Sequence, residues 1–130
     1  MKKGKTMSLQ ITIEENFPGV FVVTAIGSID ATSYEDFQAQ VDDILQKEPK
    51  AIIFDLAGVD YINSFGLGVV LTAKVRLEKS GAEFGLNKLQ PQIKTAFEIV
   101  KALPKKNVFA SAEEMERYLA QIHLNSNAKM

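Results

Sequence analysis

Ala51-Ile52-Ile53-Phe54-Asp55-Leu56 places a single charge among six residues, a run suited to a strand covered on both faces rather than one lying at a sheet edge. After a short hinge, Leu67, Val70, Leu71 and Val75 recur at helical spacing. A buried strand feeding directly into a helix belongs to a crossover connection, which implies a parallel neighbour in the same sheet.

The flanking segments repeat the theme. Leu9 to Ile13 alternates with period two and predicts a half-exposed strand. Asn16, Pro18 and Gly19 supply a turn, and Val20 to Ile26 predicts a second strand that ends at Gly27 and pairs with the first as a hairpin. A helix follows, capped by Ser33 with Asp36 in a capping box and burying Phe37, Val41, Ile44 and Leu45, until Pro49 breaks it. The central helix is predicted from Phe65 to Lys79, with Gly81 as its terminating glycine, and Glu83 to Leu86 forms the next strand.

Pro91 opens a third helix with Ile93, Ala96, Phe97 and Val100 facing inward, stopped by Pro104. Val108-Phe109 is a short fifth strand, and Ser111 with Glu114 caps a last helix carrying Met115, Tyr118, Leu119 and Ile122. The order is ββαβαβαβα. It predicts a single α/β domain over residues 8–122, with a mixed central sheet whose first hairpin is antiparallel and whose remainder is mainly parallel. Residues 1–7 are expected to be a disordered leader and 123–130 a flexible tail that leaves His123 solvated.

Composition excludes several functions. The chain has no cysteine and one histidine, which rules out disulfides, thiolate metal sites and histidine clusters. Lys2, Lys3 and Lys5 lie in the first six residues; setting them aside from the 15 basic residues leaves 12 against 16 acidic, a balance of −4. Such a body lacks the basic face that nucleic acid requires. No apolar run approaches the ~20 residues of a membrane span, and no apolar segment follows the lysines as in a secretion signal. A cytoplasmic protein with no cofactor and no metal is expected.

The chemistry concentrates in the hinge Asp60-Tyr61-Ile62-Asn63-Ser64-Phe65-Gly66-Leu67-Gly68. Ser64 is placed where a helix N-cap belongs, and Gly66 and Gly68 keep part of the first turn free of side chains. A helix N-terminus favours negative charge, so a phosphate on Ser64 could be held there at little cost to the fold. Phe65 has two readings: a core residue packed under the sheet edge, or, since it follows the cap while Leu67, Val70 and Leu71 fill the inward positions, an exposed aromatic anchor for a partner. Asp30, after the second strand and Gly27, fits a turn carboxylate bonded to local N–H groups.

Enzymatic readings fail. Ile62 occupies the first glycine position of a nucleophile elbow, and no His/Asp pair completes a triad. No phosphate-binding P-loop is present. A receiver domain built on Asp55 needs an acidic pair after the first parallel strand and a lysine after the last; Glu14, Glu15, Lys105 and Lys106 are in the wrong places.

Asn63-Ser64-Phe65-Gly66-Leu67-Gly68 resembles the Asp-Ser-Ser/Thr-Gly-Leu-Gly segment of STAS domains, in particular bacterial anti-sigma factor antagonists. Gly27-Ser28-Ile29-Asp30 resembles that family's Gly-x-Ile/Leu-Asp turn, and the element order agrees over residues 8 to 122. Asn63 stands where the family often has Asp, and Phe65 where a small residue is usual. The resemblance implies phosphorylation at Ser64 and a partner surface of Asp30, Asn63, Ser64, Phe65, Gly66 and Gly68. It implies as partners a serine-kinase anti-sigma factor, bound when Ser64 is unphosphorylated, and a PP2C-type phosphatase. The alternative within the same resemblance is a STAS binding or scaffold module without a phosphoswitch, in a larger signalling or transport assembly.

Overall fold

The computed structural model describes residues 9–101, 103–104 and 107–128; the leader of residues 1–7 with its lysines, and Lys105 and Lys106, lie outside them. Five strands, β1 (Leu9–Phe17), β2 (Val20–Ile29), β3 (Ala51–Ile62), β4 (Glu83–Asn87) and β5 (Val108–Phe109), form one sheet in sequence order. The helices are α1 (Tyr34–Gln46), α2 (Ser64–Lys79), α3 (Pro91–Ile99) and α4 (Ala112–Ala128). β1 and β2 pair antiparallel across the Pro18-Gly19 turn, where Gly19 takes φ +80°, and every later pairing is parallel. The ββαβαβαβα order and the mixed sheet are as the sequence predicts.

The sheet carries an unequal load on its two faces. Phe21, Val23 and Ala25 of β2 and Ile52, Phe54 and Leu56 of β3 meet Phe37, Val41, Val70, Ala73, Ile93 and Phe97 from α1, α2 and α3. On the other face, α4 alone lays Met115 and Leu119 over Val20, Val22, Ala51 and Ile53. α1 buries the predicted stripe of Phe37, Val41, Ile44 and Leu45. α2 closes as predicted: Gly81, at φ +78°, donates to the Glu78 carbonyl (3.2 Å), and Ala82 donates to that of Leu77 (2.8 Å), the paired bonds of a Schellman motif.

Several expectations need correction. β3 does not end at Leu56 but runs to Ile62, because it carries two extra residues against β2. Thr24 pairs with Asp55 and Ile26 with Gly58, then Gly27 with Val59 and Ser28 with Tyr61. Each bulge resets the alternation, which brings both Val59 and Ile62 onto the core face. α2 presents Gly66, Val69, Val70, Ala73 and Leu77 inward, while Leu67 and Leu71 flank the core and Val75 is exposed. Val100 also points outward, since α3 ends at Ile99 and Lys101 turns into the left-handed region at φ 57°. The last helix continues to Ala128, past the predicted start of a tail. His123 is half-buried and stacks on Phe17 with ring centroids 4.3 Å apart; β1 reaches Phe17 and so gives the imidazole a surface to pack on.

Candidate functional site

The carboxyl ends of β2 and β3 bring the two predicted loops together. Ser28 and Ile29 pair with Tyr61 and Ile62, and the Asn63 amide donates to the Ile29 carbonyl at 2.9 Å. The Asp30 turn therefore leads into α1 beside the point where Asn63-Ser64 leads into α2. This is the end of a parallel sheet where α/β folds present their sites.

The cap of α2 is Asn63, not Ser64. Asn63 holds extended backbone angles (φ −89°, ψ 178°), and its Oδ1 accepts from the Gly66 amide at 2.8 Å. Asn and Ser are comparably good caps, and β3 delivers Asn63 to that position by extending to Ile62. Ser64 becomes the first helical residue, exposed, and its hydroxyl has no hydrogen-bond partner among the described residues. The hydroxyl is thus not engaged in holding the helix.

Around it, roles divide sharply. Phe65 is 61% exposed and stacks on Tyr34, the first residue of α1, with centroids 4.9 Å apart. The two helix starts thus share an aromatic plate at the surface. Gly66 faces the other way: it is buried, and a Cβ there would come within 2.5 Å of Ile29 Cγ2 and 2.9 Å of Ile62 Cγ1. Its missing side chain lets α2 sit close to the sheet. Gly68 is different again, with nothing within 4 Å of a Cβ built on it.

Asp30 forms a self-contained turn. Its Oδ1 accepts from the Thr32 amide (3.0 Å) and hydroxyl (2.7 Å), and its carbonyl accepts from the amides of Ser33 and Tyr34. The Thr32 hydroxyl, foremost among these donors, holds the Asp30 carboxyl below its ordinary range, with burial opposing. Ser33 precedes α1 as predicted, but the capping box does not form. Buried at 5% exposure, its hydroxyl donates to the Ser28 carbonyl (2.8 Å) and accepts from the Asp30 amide (3.0 Å). It serves the Asp30 turn rather than the helix.

The brace behind Ser64 has no signature in the sequence. Gln90 Nε2 donates to the Ala57 carbonyl (2.8 Å), and Gln92 Nε2 donates to the Asp60 carbonyl (3.1 Å) and to Gln90 Oε1 (2.9 Å). On the other side the Ser28 hydroxyl donates to Asp60 Oδ1 at 2.8 Å. The bonds to Ala57 and Asp60 satisfy β3 carbonyls past Asp55, where pairing with β4 has ended. The glutamines make sense only because β3 runs to Ile62 while β4 ends at Asn87.

The site is a surface rather than a pocket. Grooves of about 1000 Å3 and 590 Å3 open at the opposite end of the strands, around Gly81, Ala82 and Glu83. Among the described residues no cluster of three or more His, Asp or Glu side chains could hold a metal, and no helix is long and apolar enough to cross a membrane.

Comparison with known proteins agrees with this fold. A family model for the STAS domain matches residues 11–115. BtrV of Bordetella bronchiseptica, assigned as an anti-sigma factor antagonist, is 28% identical over 91 residues, covering 70% of this chain and 78% of BtrV. The anti-sigma F factor antagonist of Paenibacillus polymyxa is 27% identical over 88 residues, 67% of this chain and 74% of that protein. In three dimensions the chain resembles the anti-sigma factor antagonist SpoIIAA in its unphosphorylated form, with a TM-score of 0.75 at 19% identity over 86% of this chain and 97% of that one. The phosphorylated form of SpoIIAA from Bacillus matches with a TM-score of 0.71 at 20% identity, over 85% and 99%. At these identities the structural likeness is one of fold.

Proposed function

The chain belongs to the STAS domain family, and from that premise we propose that it is an anti-sigma factor antagonist switched by phosphorylation of Ser64. Its partner is a serine-kinase anti-sigma factor, bound through the Asp30 turn, Asn63, Ser64, Phe65 and the open surface at Gly68. Binding frees a sigma factor; phosphate on Ser64 breaks the complex, and a PP2C-type phosphatase restores it. ATP belongs to the kinase, and this chain performs no catalysis. Gly66 contributes from beneath, by setting the depth of α2.

One observation carries the reading: the Ser64 hydroxyl is exposed at the first position of α2 while Asn63 does the capping. A group with no structural duty can be modified without unfolding the domain. Phosphoserine carries about −1.5 to −2 charges, which a helix N-terminus tolerates or favours by up to ~1 kcal/mol. Enclosed in an interface without a cationic partner, the same charge costs several kcal/mol. A penalty of ~3 kcal/mol weakens affinity more than a hundredfold. The modification is therefore mild for the monomer and decisive for the complex.

The test is recovery of partners on tagged wild-type, Ser64→Ala and Ser64→Asp chains from native cells. One kinase should be retained by wild type and Ser64→Ala and lost from Ser64→Asp. Equal retention by Ser64→Asp overturns the electrostatic mechanism and leaves the docking module without a phosphoswitch.

A further inference from the structure

We propose that the sheet face opposite α2 carries a second docking surface, centred on Ile26 and Tyr61, that takes a basic peptide segment of another protein. The inference is independent of the Ser64 reading. α4 covers this face only over Val20, Val22, Ala51 and Ile53. Beyond that cover an exposed strand face should turn polar, and Gln10, Thr12, Thr24 and Asp55 do so. Ile26 and Tyr61 break the pattern, at 52% and 53% exposed.

Register fixes their side. Ile26 follows Val22 and Thr24 at two-residue steps, and Tyr61 pairs with Ser28, two residues on from Ile26. Ile62, next along, faces the α2 side. Ile26 lies against Gly58, where a Cβ would come within 2.9 Å of its Cγ1. The glycine thus leaves the isoleucine a flat bed, and the tyrosine stands beside it. Apolar side chains kept in water at the edge of a bulged strand are where local pattern and function part company.

Charge selects the occupant. Asp60, next to Tyr61, is exposed and reaches Ser28 on this face, and Asp55, beside Thr24, is half-exposed, while Gln10, Thr12 and Thr24 around them are uncharged. A segment with lysine or arginine on either side of an apolar residue would match this rim, with its cation over the Tyr61 ring. An acidic segment would be repelled.

The experiment titrates the 15N-labelled full chain with a six-residue peptide of alternating lysine and leucine, and separately with a matched glutamate–leucine peptide. Expected are shift changes confined to Gln10, Thr24, Ile26, Gly58 and Tyr61, with a dissociation constant below about 1 mM. Binding should weaken about fivefold or more in Tyr61→Ser and again in 0.5 M salt. The Ser64→Asp chain should bind the lysine peptide as wild type does, which separates failure of this surface from failure of the switch. The proposal is overturned by absence of binding, by equal binding of the glutamate peptide, or by shifts that map to Tyr34 and Phe65. Concentration-dependent shifts at Ile26 and Tyr61 without peptide also overturn it, because they assign the patch to a second copy of the chain.

Discussion

Replacing Asn63 and Ser64 separately by alanine should have opposite consequences for stability, although the two residues are adjacent. Asn63→Ala removes the 2.8 Å bond to the Gly66 amide and leaves an orphan donor at a buried residue in the first turn of α2. Loss of such a cap costs about 1 kcal/mol, within a range of 0.5–2. Unfolding entropy of ~2.1 cal/mol/K per residue, over a domain of this size, turns that into a fall in Tm of about 4 °C. Ser64→Ala removes a hydroxyl that bonds nothing among the described residues, and alanine is the better helix former. Its Tm should stay within about 1 °C of wild type or rise. Calorimetry on the two variants and the double mutant reads both numbers, and the double should match Asn63→Ala alone. A Ser64→Ala loss equal to that of Asn63→Ala would refute the division of labour between cap and switch.

The paired glycines of α2 should also separate. Gly66→Ala forces a methyl to within 2.5 Å of Ile29 and should destabilise by about 1–3 kcal/mol, whereas Gly68→Ala meets open space and should stabilise by about 0.5–1 kcal/mol; urea midpoints decide. Thr32→Val removes the leading hydrogen bond to Asp30, so the carboxyl should titrate closer to its ordinary value in a 13C NMR titration. The contribution of Asp30 to stability, present above about pH 4 and lost as pH falls through its lowered folded value, should shrink. Burial, and then the bond to Glu83, push the Tyr118 hydroxyl well above the usual tyrosine range. Its share of stability holds below pH ~10 and is lost above it, so Tyr118→Phe should flatten the alkaline decline of Tm. An unchanged alkaline slope would contradict this.

The elements were legible where one periodicity runs unbroken. In α1, Phe37, Val41, Ile44 and Leu45 sit inward as spacing alone predicts. Legibility failed where an extra residue reset the phase. Past Leu56, the bulges of β3 bury Val59 and Ile62 on one face although they lie three positions apart, and no period-two template contains that step. It failed again where small residues hold the closest contacts. Gly66 and Ala73 occupy the inner face of α2, and a pattern weighted toward large side chains selects Leu67, Leu71 and Val75 instead. Asn63 and Ser64 are both good caps, so only the end of β3 decides between them. The place of Ser64 at the helix start could be read from its flanking residues, and the nearness of Asp30 only through the STAS resemblance; the Tyr34 plate and the Gln90–Gln92 brace depend on chain segments meeting in space.

The intact mass of the protein taken from its native cells, with fragment mass spectrometry to locate any modification, tests the switch most directly. A fraction carrying a single phosphate on Ser64 is expected, absent from Ser64→Ala and removed by a PP2C-type phosphatase. A phosphate found at Ser28 or Thr32 instead, or an unmodified chain in cells where the partner is released, would contradict it.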